Sequence, residues 1–173
     1  MAFEEKHDMD VRYLRGVGEQ KAKALEKLGI RTVRDLLGYF PRGYEDRTVI
    51  VPIAGAPEDM SVCIMATVAT VPVLNRIRRG MELVKFRAAD DTGAVDITFF
   101  NQSYVRNNIH SGETYIFYGR LTTAGGRRSM ANPDYEPASA VGQKTGLILP
   151  RYGLCSGVSN PLMVKLERAA LDS

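Results

Sequence analysis

The chain has 173 residues, a length that predicts one domain, or one domain with a small helical addition. Hydrophobic residues make up 45% and charged residues 25%, an average globular composition that excludes a disordered or collagen-like chain. The net charge of +3 is too small to identify a nucleic-acid partner by itself.

Residues 1–41 are predicted to form a small helical subdomain. Apolar residues recur at intervals of three and four between positions 11 and 40, which is the helical period. Gly29 is placed to end a first helix, Thr32 is placed to cap a second, and Pro41 is placed to end it. The spacing therefore predicts two short helices.

The turn at Gly16 and Gly18, followed by Lys21, has the form of a helix-hairpin-helix. Such a turn offers backbone N–H groups to a phosphate at the N-terminus of a helix. Glycine is also the default residue of tight turns. The residues therefore leave two interpretations, a phosphate contact and a purely structural turn.

Residues 61–137 are predicted to form a small all-β domain, reached through a connector over residues 42–60. From residue 61 the apolar period changes to two and turn residues recur regularly. A short helix-like segment separates the third and fourth predicted strands. This order predicts a mainly β fold, the five-stranded Greek-key barrel called the OB-fold. The predicted strands cover residues 62–71, 81–89, 94–100, 114–122 and 128–135.

Residues 138–173 are predicted to be a linker followed by a C-terminal helix. Ser159 offers an N-cap, and Pro161 falls in the first turn. The apolar stripe of this helix continues to the end of the sequence. We therefore expect its apolar face to pack on a surface outside this chain.

The sequence predicts neither a catalytic site nor a metal site. Cys63 and Cys155 are far apart, and neither His7 nor His110 lies near them, so a zinc site lacks its ligands. The same residues supply no Ser/His/Asp or Cys/His set. The segment 142–145 lacks the glycine that precedes the lysine of a phosphate-binding loop. We therefore expect no enzyme activity and no cofactor in this chain alone.

Basic residues fall in the two loops with which an OB-fold binds its ligands. Arginines in these loops can bind phosphates along a nucleic-acid strand, although charged runs are usually solvated surface. Five arginines in the two loops favour phosphate binding. They are Arg76, Arg78 and Arg79 in the first loop and Arg127 and Arg128 in the second.

Aromatic residues stand at the end of the third predicted strand. Phe99 and Phe100 must face opposite sides of that strand, so only one of them can lie in the core. If Phe100 points outward, it and Tyr104 can stack on bases. In the alternative interpretation, the aromatic residues cover the mouth of the barrel.

The order of these motifs resembles the N-terminal part of the RecG family of bacterial ATP-dependent DNA helicases. The matching segments extend over nearly the whole chain, at 14–18, 28–37, 40–47, 99–104 and 132–136. The resemblance implies a wedge domain, an OB-fold that enters a stalled replication fork or Holliday junction and splits its arms. It also implies that Phe100 and Tyr104 stack on bases at the branch point. Residues 152–159 depart from the family's pattern.

The resemblance also implies partners and cofactors for a longer parent protein. Branched DNA and single-stranded DNA are the expected nucleic-acid partners, in recombination and repair. The C-terminal helix would lead toward helicase motor domains that use ATP and Mg²⁺. The alternative is a free-standing OB-fold adaptor that binds single-stranded nucleic acid or a protein.

The N-terminus lacks the basic and apolar stretches of a signal peptide, and the apolar runs are short. A secreted or membrane-inserted chain needs such a segment. We therefore expect no membrane partner and a cytoplasmic location.

Overall fold

The computed structural model describes residues 8–140, 142 and 145–172. The described residues form two compact units, a helical unit within Met1–Glu45 and Leu149–Ser173 and a barrel unit within Asp46–Ile148. The α-helices are α1 (Glu19–Glu26), α2 (Val33–Leu37), α3 (Val105–Asn108) and α4 (Asn160–Leu171). The strands are β1 (Gly43–Asp46), β2 (Ser61–Val68), β3 (Val73–Arg78), β4 (Met81–Ala89), β5 (Ala94–Phe100), β6 (Thr114–Ala124), β7 (Arg127–Ala131), β8 (Asp134–Pro137) and β9 (Ile148–Arg151).

The helical unit begins with a short 3-10 helix, Val11–Tyr13, and continues through α1 and α2. Gly29 takes a positive φ of 81° after α1. Thr32 and Asp35 form a capping box at the start of α2, because each side chain accepts a hydrogen bond from the backbone N–H of the other. Gly29 therefore follows the end of α1, and Thr32 caps the start of α2, as the sequence predicts.

The apolar face of α4 is covered within this chain. Met163, Leu166 and Ala170 are buried in one core with residues of α1 and α2, including Leu25 and Leu36. The expectation that this face packs on a surface outside the chain was therefore wrong. Periodicity shows that a helix has an apolar face, but it does not show which part of a protein covers it.

The barrel unit closes five strands in the order β2–β4–β5–β7–β6, and β6 pairs again with β2. The neighbouring strands are antiparallel except for β5 and β7, which are parallel. In the chain, α3 falls between β5 and β6. This order is that of the OB-fold, and the predicted fold class is confirmed. Ile53 and Ala56, from the segment before β2, are buried in the barrel core.

β3 forms where the sequence predicts a loop. β3 pairs with β4 in an antiparallel hairpin, and the chain turns between the two strands at Gly80, whose φ is 80°. Five of its six residues are exposed. A strand is recognised in a sequence by the alternation of buried and exposed residues, and a strand without a buried face lacks that signal.

Candidate nucleic-acid interface

The two phenylalanines at the end of β5 face opposite sides of the sheet. Phe99 is buried and packs against Phe86 and Tyr135 in the barrel core. Phe100 is 39% exposed, and Tyr104, which caps α3, is 58% exposed. Two aromatic rings therefore face solvent at this end of the barrel.

Two asparagines fix the direction in which β5 ends. Asn101 and Asn132 have positive φ values of 54° and 46°, a conformation that asparagine adopts more readily than other non-glycine residues. The Oδ1 of Asn132 accepts a hydrogen bond from the N–H of Phe100 at 2.7 Å. The Oδ1 of Asn101 accepts one from the N–H of Glu82 at 3.0 Å. The sequence alone does not mark these asparagines as positioning residues, although asparagine after a strand is a turn signal.

Tyr104 joins the same hydrogen-bond network. Its hydroxyl donates to Oε1 of Gln102 at 2.7 Å, and Nε2 of Gln102 donates to Oδ1 of Asn132 at 3.4 Å. Asn132 therefore connects the backbone of Phe100 with the side chain that holds the Tyr104 hydroxyl. The backbone of Phe100 and the hydroxyl of Tyr104 thus belong to one set of polar contacts.

The β3–β4 hairpin places three of the predicted arginines beside these rings. Leu83 of β4 pairs with Phe100, so the residues of β4 before Leu83 lie beyond the end of β5. Arg76 forms an ion pair with Glu82, with 2.9 Å between Nε and Oε1. A surface cavity of about 410 Å³ is lined by this charge and by Asn101, the residue that follows Phe100. Its lining residues are Arg76, Arg78, Arg79, Gly80, Glu82 and Asn101.

The β6–β7 hairpin contains one exposed arginine and one engaged arginine. Arg127 is exposed directly after a turn of two positive-φ glycines. The guanidinium of Arg128 donates to the backbone carbonyls of Ile53, of Ala54 at 2.8 Å and of Ala56 at 2.9 Å. Arg128 therefore has a structural role, and its predicted phosphate contact stays a prediction.

The sheet face between the two hairpins carries two further basic residues. Lys85 and Arg87 are exposed and alternate along β4 with buried apolar residues. Arg87 forms an ion pair with Asp96 of β5 at 3.4 Å. The period of two along β4 identifies Lys85 and Arg87 as outward-facing, but the sequence carries no motif that marks them as a binding pair.

The two hairpins lie at opposite ends of β5. Phe100 ends this strand beside the β3–β4 hairpin, while Val95 at its start pairs with Arg128. A strand of this length spans roughly 20 Å. Arg79 and Arg127 therefore lie in hairpins at opposite ends of the β4–β5 pair, with Lys85 and Arg87 exposed along β4 between these ends.

In the part of the chain that the structure describes, the turn of the predicted helix-hairpin-helix is preceded by the 3-10 helix Val11–Tyr13. Gly16 takes a φ of 94°, and Gly18 is the N-cap of α1. The Nζ of Lys21 donates to the carbonyl oxygen of Gly16 at 2.7 Å. The ammonium group of Lys21 is thus hydrogen-bonded to the turn that precedes α1. A phosphate contact at Gly16, Gly18 and Lys21 stays a prediction.

The described residues contain no group of three or more His, Cys, Asp or Glu residues that could hold a metal ion. His7, Gln143 and Lys144 lie outside these residues. Among the helices that the structure describes, none is long and apolar enough to cross a membrane.

The fold and the site define an OB domain with exposed aromatic rings and basic hairpins, a combination typical of nucleic-acid-binding OB-folds. Residues 10–173 match the family model of the RecG wedge domain. The chain belongs to the RecG wedge-domain family.

Several relatives are full-length proteins named ATP-dependent DNA helicase RecG. The protein from Thermotoga maritima is 30% identical over 168 residues, which cover 95% of this chain and 21% of the relative. The protein from Escherichia coli K12 is 30% identical over 165 residues, which cover 92% of this chain and 23% of the relative. The structure of RecG bound to a three-way DNA junction matches with a TM-score of 0.79 and 29% identity, over 93% of this chain and 22% of that one. The chain thus spans about one fifth of the length of these relatives.

Proposed function

We propose that this chain is the branched-DNA recognition module of an ATP-dependent DNA helicase that acts in recombination and repair. The observation that carries the proposal is the pair of exposed rings, Phe100 and Tyr104, beside the arginines of the β3–β4 hairpin. The names of the relatives and the DNA junction bound to the similar RecG structure support it. The substrates in this proposal are stalled replication forks and Holliday junctions.

The exposed rings supply the preference for a branch point. A base at the position where two strands diverge has lost a stacking neighbour, whereas each base inside a duplex keeps both. An aromatic face can recover about 1–3 kcal/mol for each such base. Asn132 holds the backbone of Phe100 and Gln102 holds the hydroxyl of Tyr104, so the Tyr104 ring loses less conformational freedom when a base stacks on it.

The arginines supply affinity for every form of DNA. Phosphate contacts release counterions from the nucleic acid, and this gain does not depend on a branch. Arg78 and Arg79 have no ion-pair partner among the described residues, whereas Arg76 shares its charge with Glu82. Selectivity and affinity are thus assigned to different side chains of one surface.

The proposal places ATP hydrolysis in the parent protein. Motor domains there would bind ATP and Mg²⁺ and act on the DNA that this module holds, and they are its protein partners. The described residues supply no cluster of acidic ligands that would fit a catalytic metal. We expect no ATP hydrolysis by this chain alone and a cytoplasmic location for the parent.

The decisive experiment compares the binding of a fork, a duplex and a single strand of equal length by fluorescence anisotropy. The double variant Phe100→Ala with Tyr104→Ala should weaken fork binding roughly 10- to 100-fold, because two stacking contacts are lost. Duplex binding should change by less than about twofold, because phosphate contacts remain. The matched control is Phe40→Ala with Tyr44→Ala, which removes two exposed aromatic rings of the helical unit.

The control variant should bind all three DNA forms like the unmodified chain. A double variant that folds normally and still prefers forks would show that Phe100 and Tyr104 do not recognise the branch. Equal affinity of the unmodified chain for forks and single strands would favour the free-standing adaptor. A melting temperature lowered by several degrees in the double variant would favour a structural role for the rings.

A further inference from the structure

Ile77 of β3 is an exposed apolar residue that does not belong to the barrel core. Arg76 pairs with Glu82 and Arg78 pairs with Met81, so Ile77 is the extra residue of a β-bulge in β3. A bulge interrupts the hydrogen-bond ladder and redirects a side chain. Here it leaves an isoleucine 58% exposed between two arginines.

Along the strand direction, the bulge lies further out than Phe100. Leu83 is level with Phe100, while the pair of Arg78 and Met81 lies two residues further out. At about 3.3 Å per residue, the bulge and the turn extend about 5–10 Å past Phe100. Base pairs in a duplex are separated by about 3.4 Å, so this reach corresponds to roughly two to three base pairs.

The chemistry of this hairpin end selects a polyanion rather than a protein surface. Arg76 and Arg78 flank Ile77 in the chain and Arg79 follows them, and Glu82 is the only acidic residue that lines the cavity of these three arginines. Proteins that bind the minor groove combine these same parts, basic side chains on the backbone and an apolar side chain between base steps. A single exposed isoleucine is ordinary on a protein surface. Its placement on a bulge among three arginines is what points to a ligand.

We propose that the tip of the β3–β4 hairpin enters the minor groove of the duplex arm, with Ile77 wedged at the second base step from the branch. Arg76, Arg78 and Arg79 bind the flanking phosphates. The hairpin then holds the duplex arm at a fixed distance from the base that stacks on Phe100. This inference rests on the proposed function, because the distance is counted from that stacked base.

The test places 2-aminopurine in a fork, either at the branch point or at the second and third base pairs of the duplex arm. The unmodified chain should raise the fluorescence in the arm, because a wedged side chain unstacks the probe from its neighbours, and should lower it at the branch, because the probe there stacks on the exposed rings. Ile77→Ser should abolish the signal in the arm, keep the signal at the branch and weaken fork binding about three- to tenfold. Val73→Ser is the matched control, because Val73 lies on the same strand, is 53% exposed and sits nearer the barrel.

Distamycin, bound to an A·T-rich arm, should remove the arm signal of the unmodified chain because it occupies the minor groove. An arm signal that persists with distamycin, or that Val73→Ser abolishes as fully as Ile77→Ser does, would overturn the inference. A branch signal without any arm signal would overturn it and leave the proposed function standing. Absence of fork preference in the unmodified chain would overturn both.

Discussion

Glu167, on α4, has a carboxylate oxygen that is buried without a hydrogen-bond partner among the described residues. Burial raises the pKa of Glu167 from 4.5 to about 7, because a charged carboxylate loses the stabilisation that water provides. The folded state therefore binds this proton more tightly than the unfolded state does. Its contribution to stability is complete below about pH 4.5 and is lost as the pH rises through about 7.

Replacing this carboxylate by a neutral isostere should remove that pH dependence. We expect Glu167→Gln to have a higher melting temperature than the unmodified chain at pH 8, and the difference should shrink towards pH 5.5. Thermal unfolding followed by circular dichroism over this range measures both proteins. Glu58→Gln, at an exposed position, should follow the unmodified chain throughout. A constant offset between Glu167→Gln and the unmodified chain would mean that the carboxylate does not titrate in this range.

Some residues of the motifs that this chain shares with the RecG family stabilise the barrel unit. Arg47 is buried, its Nη2 donates to Oδ2 of Asp134 at 2.8 Å, and its guanidinium lies 3.9 Å from the centre of the Tyr118 ring. Arg47 of the shared segment 40–47 thus forms an ion pair with Asp134 of the shared segment 132–136, and it adds a cation–π contact with Tyr118 of β6. Membership of a motif therefore does not by itself identify a DNA contact.

At the scale of elements, the β6–β7 hairpin contains neighbouring arginines with different roles. Arg128→Ala should lower the melting temperature, because three carbonyls of residues 53–56 lose their hydrogen-bond donors. Arg127→Ala should leave the melting temperature unchanged. It should lower the slope of log DNA affinity against log salt by about one, because one phosphate contact is lost. Thermal unfolding and anisotropy at several salt concentrations measure the two effects. Equal melting temperatures for the two variants would contradict the structural role of Arg128.

The same two arginines show where sequence reasoning stops. The turn residues before them are readable, since Gly125 and Gly126 adopt the positive φ that a tight turn requires. Their roles are not readable, because the carbonyls that Arg128 binds are more than 70 positions away in the chain. In contrast, the opposite orientations of Phe99 and Phe100 are readable from the sequence, because side chains alternate between the two faces of a strand.

Elements without a buried face or with a distant partner are the ones that the sequence misplaces. β3 has no alternating burial, so its residues look like a loop. The cover of α4 comes from helices at the other end of the chain, and no local pattern contains that information. The barrel strands β2, β4, β5 and β6 are predicted close to their bounds, because their signal lies within each strand. The predicted strand 128–135 was wrong, because Asn132, with a φ of 46°, divides it into β7 and β8.

At the scale of the whole molecule, the small net charge of +3 conceals an uneven arrangement of charge. Several acidic residues of the barrel unit have structural tasks, since Asp90 accepts hydrogen bonds from the N–H groups of Ile53, Thr92 and Gly93. Asp134 pairs with Arg47. The β3–β4 hairpin, in contrast, presents three arginines with one acidic neighbour. A polyanion therefore meets positive charge on this surface although the chain is nearly neutral.

The salt dependence of DNA binding should follow this local charge and not the net charge. Replacing Arg76, Arg78 and Arg79 together by alanine should weaken the binding of forks and duplexes alike, and should lower the slope of log affinity against log salt by about two to three. The control replaces Lys23, Lys27 and Arg168 by alanine, which removes the same charge from exposed positions of the helical unit. Its slope should equal that of the unmodified chain. If both triple variants lose slope equally, the helical unit also binds phosphates, and the turn at Gly16, Gly18 and Lys21 becomes the place to test next. If neither variant loses slope, the hairpin arginines are solvated charge and the basic surface does not hold the DNA.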